Sequence, residues 1–435
     1  MLNTQQSEAA LLIKKWFQTK NKQKQVFFLS GYAGTGKTFL VNFLINNILN
    51  LDTDDVVFCA YTGKAVSVIL QKGEHEAVTI HKLIYNTVEK EYETEDGKKM
   101  KRIEFIKKPS IPNYKLIVLD EVSMVDKKIM NDLLSYGLPI LACGDKAQLP
   151  PVGGYQLDFL ETPDYTLTEI VRQSEENTIV RIATKARNGE YIPTGNYGDV
   201  VVINRETISD EYMKKILLGM DQILCGTNKT RFKLNDLVRS YYGYTIQDEP
   251  QYGEKIICTS NNWSVTFGED DKFSLVNGTI GYVNGYRHMY SADGIAKIDM
   301  FKPDFINNDI DAIYDILVDK DLLEKNERKF DIGSKIFKMS DGSYKIKAKP
   351  VRMPNETRTK FMARVKDSVM AARNAESEEM INFFEYAYAI SCHKAQGSEW
   401  DKVVVFDESH VFGKEANRWL YTAITRAKKK LIIIK

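Results

Sequence analysis

The amino-acid sequence predicts an α/β protein that is organised around one phosphate-binding loop. Residues 26–29 form an apolar run typical of a buried strand, and residues 39–45 carry apolar side chains at helical spacing. Residues 30–38, with the sequence SGYAGTGKT, lie between them; a strand, a glycine-rich loop and a helix are the context that such a loop requires. Apolar runs that indicate further buried strands recur along the chain, at 56–60, 116–119, 140–143, 386–390, 403–406 and 431–434.

The loop residues have the chemistry to hold a polyphosphate and a cation. Gly34 and Gly36 let the backbone amides, including that of Thr35, turn inward around phosphate oxygens. The helix that follows adds the positive end of its dipole. The Lys37 ammonium is predicted to reach the β- and γ-phosphates, and the Thr38 hydroxyl to bind Mg²⁺. The sequence therefore predicts a nucleoside triphosphate site; the alternative is a chance glycine-rich turn.

Carboxylate and amide side chains elsewhere complete a candidate hydrolytic site. Asp120 and Glu121 end a buried apolar strand, which is where open α/β sheets place their chemistry. We expect Asp120 to bind Mg²⁺ through water and Glu121 to orient or deprotonate the attacking water. Gln148 follows the next apolar strand and is a candidate sensor of the γ-phosphate. Gln6, upstream of the loop, is a candidate for hydrogen bonding to adenine, and the alternative is an exposed helical glutamine.

Two arginines are candidates for stabilising charge on the γ-phosphoryl group. Arg172 follows residues 167–171, and Arg426 lies on a helix predicted at 420–427. An arginine supplied from a second lobe can neutralise the charge that develops during phosphoryl transfer. For Arg172 the alternative is an arginine on the surface.

A second strand-to-helix turn suits a phosphate of a nucleic-acid backbone. Thr62 and Lys64 offer a hydroxyl and an ammonium at the start of one helix, and the alternative is a plain capped helix. His81 is suited to stacking on a base or contacting a phosphate, although a single histidine is more often structural. Residues 345–373 are rich in lysine and arginine, which fits a face that follows a nucleic-acid backbone or, equally well, a solvated surface.

Composition excludes several classes of protein. The 435 residues are 43% hydrophobic and 27% charged, as in ordinary globular proteins, and the net charge of +1 means that any nucleic-acid site is a local groove. The five cysteines form no C-x-x-C pair, so buried reduced thiols are expected rather than zinc ligands or disulfides. No signal-peptide pattern or apolar run of transmembrane length is present, which predicts a cytoplasmic protein without a membrane partner.

The regions between the motifs predict two insertions. Residues 85–110 are dominated by charges, and EDGK at 95–98 indicates the turn of a surface β-hairpin, with a disordered loop as the alternative. A second lobe begins near Ile179. Residues 241–377 become strand-like and irregular, with an Asn-Gly turn that indicates a small barrel-like β module. Within it, residues 308–328 are predicted to be helical from the spacing of their isoleucines and leucine.

The ordered set of motifs resembles that of the superfamily 1 helicases over nearly the whole chain. The matching segments follow the order found in the family: 31–38, 60–66, 79–83, 120–121, 144–148, Arg172, 393–397 and 422–426. The segments similar to superfamily 1B, the RecD-like and phage Dda-like branch, are TGKA at 62–65, TIH at 79–81, LPPVG at 149–153, LTEI at 167–170 with RQ at 172–173, and NGTIG at 277–281. Tyr61 stands where this branch usually has proline, and Val171 where the other branch has an aromatic residue that stacks on adenine.

The resemblance implies two RecA-like P-loop NTPase lobes with a small β-hairpin insertion in lobe 1 and an SH3-like β insertion in lobe 2. In this family ATP lies in the cleft between the lobes. The implied domains are lobe 1A at 1–84 and 111–170, a pin-like hairpin 1B at 85–110, lobe 2A at 171–242 and 381–435, and the insertion 2B at 243–380.

The same resemblance implies that the chain binds ATP and Mg²⁺, moves 5′ to 3′ on single-stranded DNA and unwinds duplexes at single-strand to double-strand junctions. Gly397 and Glu399 match positions near the nucleotide. The residues that match DNA-contact positions are Thr62, Lys64, His81, Asn228, Ser391, His393 and Lys394. A monomer is expected, in the cytoplasm of a bacterium or a phage-infected host. The candidate protein partners are a single-stranded-DNA-binding protein or replication proteins, and the expected processes are DNA replication, recombination and repair.

Three other functions stay open at this point. An ATP-driven translocase would strip proteins from single-stranded DNA without unwinding it, and an inert hairpin at 86–108 would favour that function. A nucleotide-dependent DNA-binding switch is a non-enzymatic alternative, although the set of Glu121, Arg172 and Arg426 argues against it. A helicase–nuclease subunit is the third, but the sequence has no separate cluster of metal-binding carboxylates. RNA is also open as a substrate.

Overall fold

The computed structural model describes most of the 435 residues. The described residues are 2–19, 24–72, 76–93, 99–150, 157–171, 177–245, 248–268, 273–289, 295–306, 309–325, 335–341, 343–346, 357, 359–360, 362–363, 365–366, 368 and 375–435. None of the helices in these ranges is both long and apolar enough to cross a membrane.

Helices and strands alternate through both ends of the chain, whereas strands dominate the middle. The helices are α1 (Thr4–Gln18), α2 (Lys37–Leu44), α3 (Gly63–Lys72), α4 (Ile80–Ile84), α5 (Lys127–Leu134), α6 (Thr178–Asn188), α7 (Asp210–Gly219), α8 (Asn228–Tyr241), α9 (Lys320–Lys325) and α10 (Ala416–Ile424). The strands up to residue 225 are β1 (Val26–Gly31), β2 (Val56–Ala60), β3 (Glu76–Thr79), β4 (Tyr85–Glu93), β5 (Lys99–Lys107), β6 (Leu116–Leu119), β7 (Ile140–Gly144), β8 (Tyr165–Leu167), β9 (Gly195–Asn196), β10 (Val200–Ile203) and β11 (Gln222–Cys225). The remaining strands are β12 (Lys255–Cys258), β13 (Asn262–Phe267), β14 (Phe273–Leu275), β15 (Ile280–His288), β16 (Ile295–Pro303), β17 (Ile313–Asp319), β18 (Lys335–Met339), β19 (Tyr344–Ile346), β20 (Ala375–Met380), β21 (Phe384–Tyr386), β22 (Ala389–Ser391), β23 (Trp400–Phe406) and β24 (Ala427–Ile434).

The first lobe is a six-stranded parallel sheet in the order β3-β2-β6-β7-β1-β8. Its central strands are buried throughout, as expected for a parallel sheet that helices cover on both faces. β6, β7 and β1 are neighbours, so the segments that follow them leave the same edge of the sheet. The phosphate loop, the Asp120-Glu121 pair and the turn at 144–148 therefore meet there, which is the arrangement that the sequence predicts.

The second lobe is a six-stranded sheet in the order β22-β11-β23-β24-β10-β9. All pairs are parallel except β10 with β9 at the edge. Because β11 pairs with β22, with Cys225 opposite Ser391, the segments after these strands also lie at one edge. The prediction of two RecA-like lobes is confirmed by this pair of sheets.

The predicted hairpin of lobe 1 is also present. β4 and β5 pair antiparallel, from Tyr85 opposite Lys107 to Glu93 opposite Lys99. The predicted turn at 95–98 lies outside the described residues, and the function of the hairpin as a pin stays a prediction.

The chain divides into two compact units. Unit 1 comprises Met1–Leu234 and Ala389–Lys435 and contains both lobes, and unit 2 comprises Asn235–Tyr388. Unit 2 contains a five-stranded antiparallel sheet in the order β17-β16-β15-β12-β21, with smaller sheets formed by β13-β14 and by β19-β18-β20. The SH3-like assignment and the boundaries of the four predicted domains stay predictions, and most of the basic stretch at 345–373 lies outside the described residues.

The helix predicted at 308–328 is wrong over most of its length. Residues Ile313–Asp319 form β17, and among the described residues of this segment only Lys320–Lys325 are α-helical. Ile313 and Ile316 both face the interior, but Tyr314 and Asp315 between them are exposed, and Asp315 has a φ of +56°. Because of this irregular residue, two buried side chains of the strand are three positions apart. The same spacing is typical of a helix, which is why the sequence indicated one. Pairing of β17 with the distant β16 therefore decides the structure of this segment.

The expectation of buried, reduced cysteines is confirmed. Cys59, Cys143, Cys225, Cys258 and Cys392 are all buried, and none is joined to another by a disulfide. Burial raises the pKa of these thiols where a shift is resolved, for example that of Cys225 to about 12, so they are unreactive.

Candidate nucleotide and nucleic-acid site

The phosphate loop has the backbone conformation that its glycines make possible. Gly34 and Gly36 have φ of +80° and +75°, in the left-handed region that glycine adopts without strain. A Cβ atom at Gly36 would lie 2.7 Å from Gln6 Nε2, so this position excludes a side chain as well. Lys37 Nζ donates to the carbonyl oxygens of Gly31 and Tyr32, the latter at 3.3 Å, and so lies along the loop.

Gln6 lies beside this loop, as the sequence predicts. It is only 3% exposed, and its Nε2 donates to the carbonyl oxygen of Thr35 at 3.1 Å. Its Oε1 accepts from the backbone amide of Asn3, which completes the capping box of α1. Contact with adenine stays a prediction; these two hydrogen bonds use one of the two Nε2 hydrogens and one of the two Oε1 lone pairs, so the amide keeps one of each for a base.

Asp120 and Glu121 occupy the carboxyl end of β6. Asp120 Oδ1 accepts from the Glu121 amide at 3.0 Å. Glu121 has a φ of +50°, a conformation that is unfavourable for a residue with a side chain and is often found at functional sites. Its Oε2 atom is buried and has no hydrogen-bond partner among the described residues. Burial, followed by the charge of Asp120, raises the pKa of Glu121 to about 7, whereas the charges of Arg426 and Lys37 lower it.

Gln148 is held in the turn that follows β7. Its backbone amide donates to the carbonyl oxygen of Asp145 at 3.1 Å, which fixes the turn. Its side-chain Oε1 is buried and, within the described ranges, has no hydrogen-bond partner. Gln148 and Glu121 thus each leave a buried polar oxygen unpaired, which is a cost that functional sites commonly carry.

Arg426 comes from the second lobe, but not from the helix on which the sequence places it. α10 ends at Ile424, and Arg426 directly precedes β24. The guanidinium is buried and donates to the carbonyl oxygens of Thr422 at 3.0 Å and Ser398 at 3.3 Å. The other predicted arginine, Arg172, lies outside the described residues and stays a prediction.

The donors around the loop fit a nucleoside triphosphate with a hard cation. A pocket beside the loop is lined by Lys37, Thr38 and Asp120 together with Asn42 and apolar side chains. No group of three or more histidine, cysteine, aspartate or glutamate side chains in the described ranges could hold a metal ion. A single hydroxyl and a single carboxylate suit Mg²⁺, which usually completes its coordination with substrate phosphates and water.

Contacts between the two lobes that the sequence did not predict surround this site. The hydroxyl of Tyr421 on α10 accepts from the backbone amide of Ala33 at 2.9 Å and donates to the Asp145 carboxylate. The amide of Leu149 donates to the Thr422 hydroxyl at 3.0 Å. In the local sequence, Tyr421 is marked only by its position next to the predicted motif at 422–426.

The predicted nucleic-acid contacts of lobe 1 lie at the ends of β2 and β3. The Thr62 hydroxyl accepts from the Ala65 amide at 3.2 Å and so caps α3, but it keeps a proton to donate to a phosphate. Lys64 lies in the first turn of the same helix. A Cβ atom on Gly397 would lie 3.3 Å from Thr62 Oγ1, so Gly397 of lobe 2 lies against this turn.

His81 belongs to a row of three aromatic rings. Its ring centroid lies 5.7 Å from that of Tyr61 and 5.8 Å from that of Tyr85. Burial lowers the pKa of His81 to about 4, although the charge of Asp126 opposes the shift. The imidazole is therefore neutral near pH 7, which favours stacking over an ionic contact with phosphate.

The predicted contacts of lobe 2 gather at one edge of its sheet. Asn228 begins α8 after β11, and its Oδ1 accepts from Arg231 Nε at 3.3 Å. Ser391 ends β22, and its hydroxyl accepts from the Lys394 amide at 3.4 Å. His393 lies between them in sequence, and burial lowers its pKa. Glu399 directly precedes β23, and its nucleotide contact stays a prediction.

Comparisons with known proteins agree with this architecture. Residues 1–200 match the AAA domain family, and residues 386–434 match the UvrD-like helicase C-terminal domain family. The chain is 28% identical over 251 residues to the ATP-dependent DNA helicase dda of Enterobacteria phage T4, covering 52% of this chain and 55% of that protein. It is 24% identical over 425 residues to the ATP-dependent RecD2 DNA helicase of Deinococcus radiodurans, covering 92% of this chain and 46% of that protein. It therefore spans about half the length of each of these relatives.

A solved structure is similar at the level of the whole chain. The crystal structure of the Pif1 helicase from Candida albicans is 17% identical, with 100% of this chain and 94% of that chain covered and a TM-score of 0.47.

Proposed function

We propose that this chain, which belongs to superfamily 1B of the helicases, is an ATP-dependent DNA helicase that moves 5′ to 3′ on single-stranded DNA and unwinds duplexes. One observation carries the proposal: a buried carboxylate oxygen of Glu121, which has no hydrogen-bond partner in the part of the chain that the structure describes, lies within electrostatic range of Lys37 in one lobe and Arg426 in the other. Such a group is suited to activating water for attack on a phosphate that both cations hold.

Each residue of the nucleotide site has a defined part in this reaction. ATP is the substrate that supplies the γ-phosphoryl group. Thr38, and Asp120 through water, would hold Mg²⁺, which would neutralise charge on the phosphate oxygens. Glu121 accepts the proton of the attacking water. Lys37 and Arg426 stabilise the charge that develops in the transition state.

The remaining predicted nucleotide contacts orient the substrate and report its state. Gln6 contacts adenine, and the amides of Gly34, Thr35 and Gly36 hold the phosphates. Gln148 reports the state of the γ-phosphate to the neighbouring lobe. Arg172 stabilises charge on the γ-phosphoryl group, and Gly397 and Glu399 lie near the bound nucleotide.

Two groups of DNA contacts, one on each lobe, make the movement possible. Thr62, Lys64 and His81 hold the strand on lobe 1. On lobe 2 the corresponding residues are Asn228, Ser391, His393 and Lys394. Alternate tightening of these groups as the cleft closes and opens would move the chain along the strand. Contacts with phosphates make such binding sensitive to salt. The hairpin of β4 and β5 is the candidate that separates the duplex.

Polarity is the sharpest test of this function. We expect single-turnover unwinding, with ATP and Mg²⁺, of a duplex that carries a 5′ single-stranded tail and not of one that carries a 3′ tail. The two substrates have the same duplex, so only the direction of loading differs between them.

The other outcomes would each change the proposal. Unwinding only from the 3′ tail would contradict the 5′-to-3′ direction while leaving helicase activity in place. DNA-stimulated ATP turnover without unwinding of either substrate would favour a translocase that removes bound proteins. Absence of ATP turnover with DNA binding intact would favour a non-enzymatic switch.

The neutral imidazole of His81 leads to a pH prediction. Because the pKa of His81 is about 4, its charge does not change between pH 6 and pH 8. We expect His81→Phe to weaken binding of a single-stranded oligonucleotide by a factor that stays constant within about twofold across this pH range. Fluorescence anisotropy at constant ionic strength would measure both dissociation constants. A factor that grows as the pH falls would show instead that His81 binds phosphate as a cation.

A further inference from the structure

One hydroxyl group of the second lobe contacts two separate parts of the nucleotide site. Tyr421 is 1% exposed and lies on α10. Its oxygen accepts a hydrogen bond from the Ala33 amide, within the phosphate loop, at 2.9 Å. The same hydroxyl donates to Oδ2 of Asp145, at the start of the turn that follows β7.

Both partners of Tyr421 determine the shape of a functional segment. The Asp145 carbonyl oxygen accepts from the Gln148 amide at 3.1 Å, and its Oδ1 accepts from the Ala147 amide at 2.9 Å. Asp145 therefore fixes the turn that presents Gln148. Ala33 lies directly before Gly34, where the loop enters its left-handed conformation. A single side chain thus connects the phosphate loop with the turn that presents Gln148.

The direction of both hydrogen bonds is fixed by electrostatics. Burial, followed by the charge of Asp145, raises the pKa of Tyr421 far above its ordinary value. The phenol consequently keeps its proton at any working pH, donates it to the carboxylate and accepts from the amide. Asp145 is itself buried, so loss of this donor would leave a poorly solvated carboxylate oxygen.

Neighbouring residues extend the same connection in both directions. The Thr422 hydroxyl accepts from the Leu149 amide, one residue beyond Gln148, and the Thr422 carbonyl oxygen accepts from Arg426 Nε at 3.0 Å. Next to Ala33, the ring centroid of Tyr32 lies 3.6 Å from the guanidinium carbon of Arg187, on α6 of the second lobe. The position of Arg426 is thereby linked to the phosphate loop through a short series of direct contacts.

We propose that Tyr421 is a positioning residue for ATP turnover. Its hydroxyl fixes the positions of the phosphate loop and of the Gln148 turn relative to Arg426. The inference rests on the proposed function. Tyr421 touches neither substrate nor water in this role and acts through Ala33 and Asp145. Substrate binding depends mainly on the loop amides and Lys37, whereas the transition state also needs Gln148 and Arg426 in place. Loss of the hydroxyl should therefore affect kcat more than KM.

The test is a set of tyrosine-to-phenylalanine variants in the full chain. We expect Tyr421→Phe to lower kcat for DNA-stimulated ATP turnover by about 10-fold or more, with KM for ATP changed by less than about threefold. Tyr114→Phe is the matched control, because the Tyr114 hydroxyl also donates to a carboxylate, Glu76 Oε2 at 2.8 Å, from a buried ring away from the site. It should leave kcat and KM unchanged, and thermal unfolding of both variants would confirm that they are folded.

A double-mutant cycle separates positioning from a general effect on folding. Asp145→Asn should also lower kcat, and Tyr421→Phe combined with Asp145→Asn should be no worse than the more severe single variant. Effects that multiply, or a kcat of Tyr421→Phe within twofold of the unsubstituted chain, would overturn the inference. Absence of ATP turnover in the unsubstituted chain would overturn the proposed function and this inference with it. Equal turnover in that chain and in Tyr421→Phe would overturn the inference alone.

Discussion

Replacing Glu121 with glutamine is expected to lower ATP turnover by about 10³-fold while nucleotide binding persists. The change keeps the size and shape of the side chain, and the amide can still form hydrogen bonds. It removes the ability of the side chain to accept a proton from water. Lys37, Thr38 and the loop amides are untouched, so ATP affinity should be retained. Steady-state turnover with single-stranded DNA, and equilibrium binding of a fluorescent ATP analogue, would measure the two effects separately.

The pH dependence of the same reaction provides a second measurement. Because the pKa of Glu121 is raised to about 7, the carboxylate is partly protonated below neutrality and fully ionised only above it. As a general base it must be ionised, so kcat/KM for ATP should rise with pH, pass its midpoint at about pH 7 and level off roughly one pH unit higher. The residual activity of Glu121→Gln should lack this rise, since amides do not titrate.

A glutamate on the surface provides the control for this variant. Glu190 is exposed in lobe 2 and accepts a hydrogen bond from Asn188, so Glu190→Gln should keep full turnover. Turnover of Glu121→Gln within tenfold of the unsubstituted chain would remove Glu121 from the role of base. The unfavourable φ of Glu121 would then need another explanation.

The parts of the site that sequence predicts well are those whose chemistry is local. The phosphate loop is specified by glycines at fixed spacing between a strand and a helix, and Asp120 with Glu121 by their place after a buried apolar strand. The parallel sheet then brings these segments to one edge, because its strands share a direction. No long-range information was needed for either step.

The parts that sequence reasoning missed depend on contacts between distant residues. Tyr421 reaches Ala33 across 388 positions of the chain, and nothing in its local sequence identifies a partner. The segment at 313–319 is a strand because it pairs with β16, although its buried positions have helical spacing. Gln6 lies beside the loop, but its hydrogen bonds to Asn3 and Thr35 depend on the fold, and its predicted contact with adenine stays a prediction.

A buried ion pair in unit 2 carries the second large expected effect. Arg239 and Glu254 are each 2% exposed, and Arg239 Nε lies 2.9 Å from Glu254 Oε1. The guanidinium also donates to the carbonyl oxygens of Thr245 at 2.8 Å and Asp248 at 3.0 Å, and its central carbon lies 4.2 Å from the ring centroid of Tyr386. One side chain therefore neutralises a buried carboxylate and satisfies backbone oxygens of the loop after α8.

Arg239→Met should lower the free energy of unfolding of unit 2 by about 3–5 kcal/mol, since it leaves the Glu254 carboxylate buried without its cation. The hydrogen bonds that Glu254 accepts from the Gln251 amide and the Tyr388 hydroxyl are too few to replace that charge. The double variant Arg239→Met with Glu254→Leu should lose less stability, because no buried charge then stays unpaired.

Thiol labelling followed by peptide mass spectrometry would measure both effects. Cys258 is buried in unit 2 and Cys143 in unit 1, so each reports the opening of its own unit.

For Arg239→Met we expect labelling of Cys258 to accelerate by about 100-fold or more, while labelling of Cys143 changes little. Lys115→Met is the matched control, since Lys115 forms an exposed ion pair with Asp55 at 2.8 Å, and such pairs contribute little. Equal labelling of Cys258 in Arg239→Met and in Lys115→Met would show that the buried pair does not stabilise unit 2. A double variant less stable than Arg239→Met would show that the packing of Glu254 and the hydrogen bonds it accepts from Gln251 and Tyr388 outweigh the cost of its unpaired charge. The comparison thus separates the cost of burying an unpaired charge on Glu254 from the loss of the packing and hydrogen bonds of the Glu254 side chain.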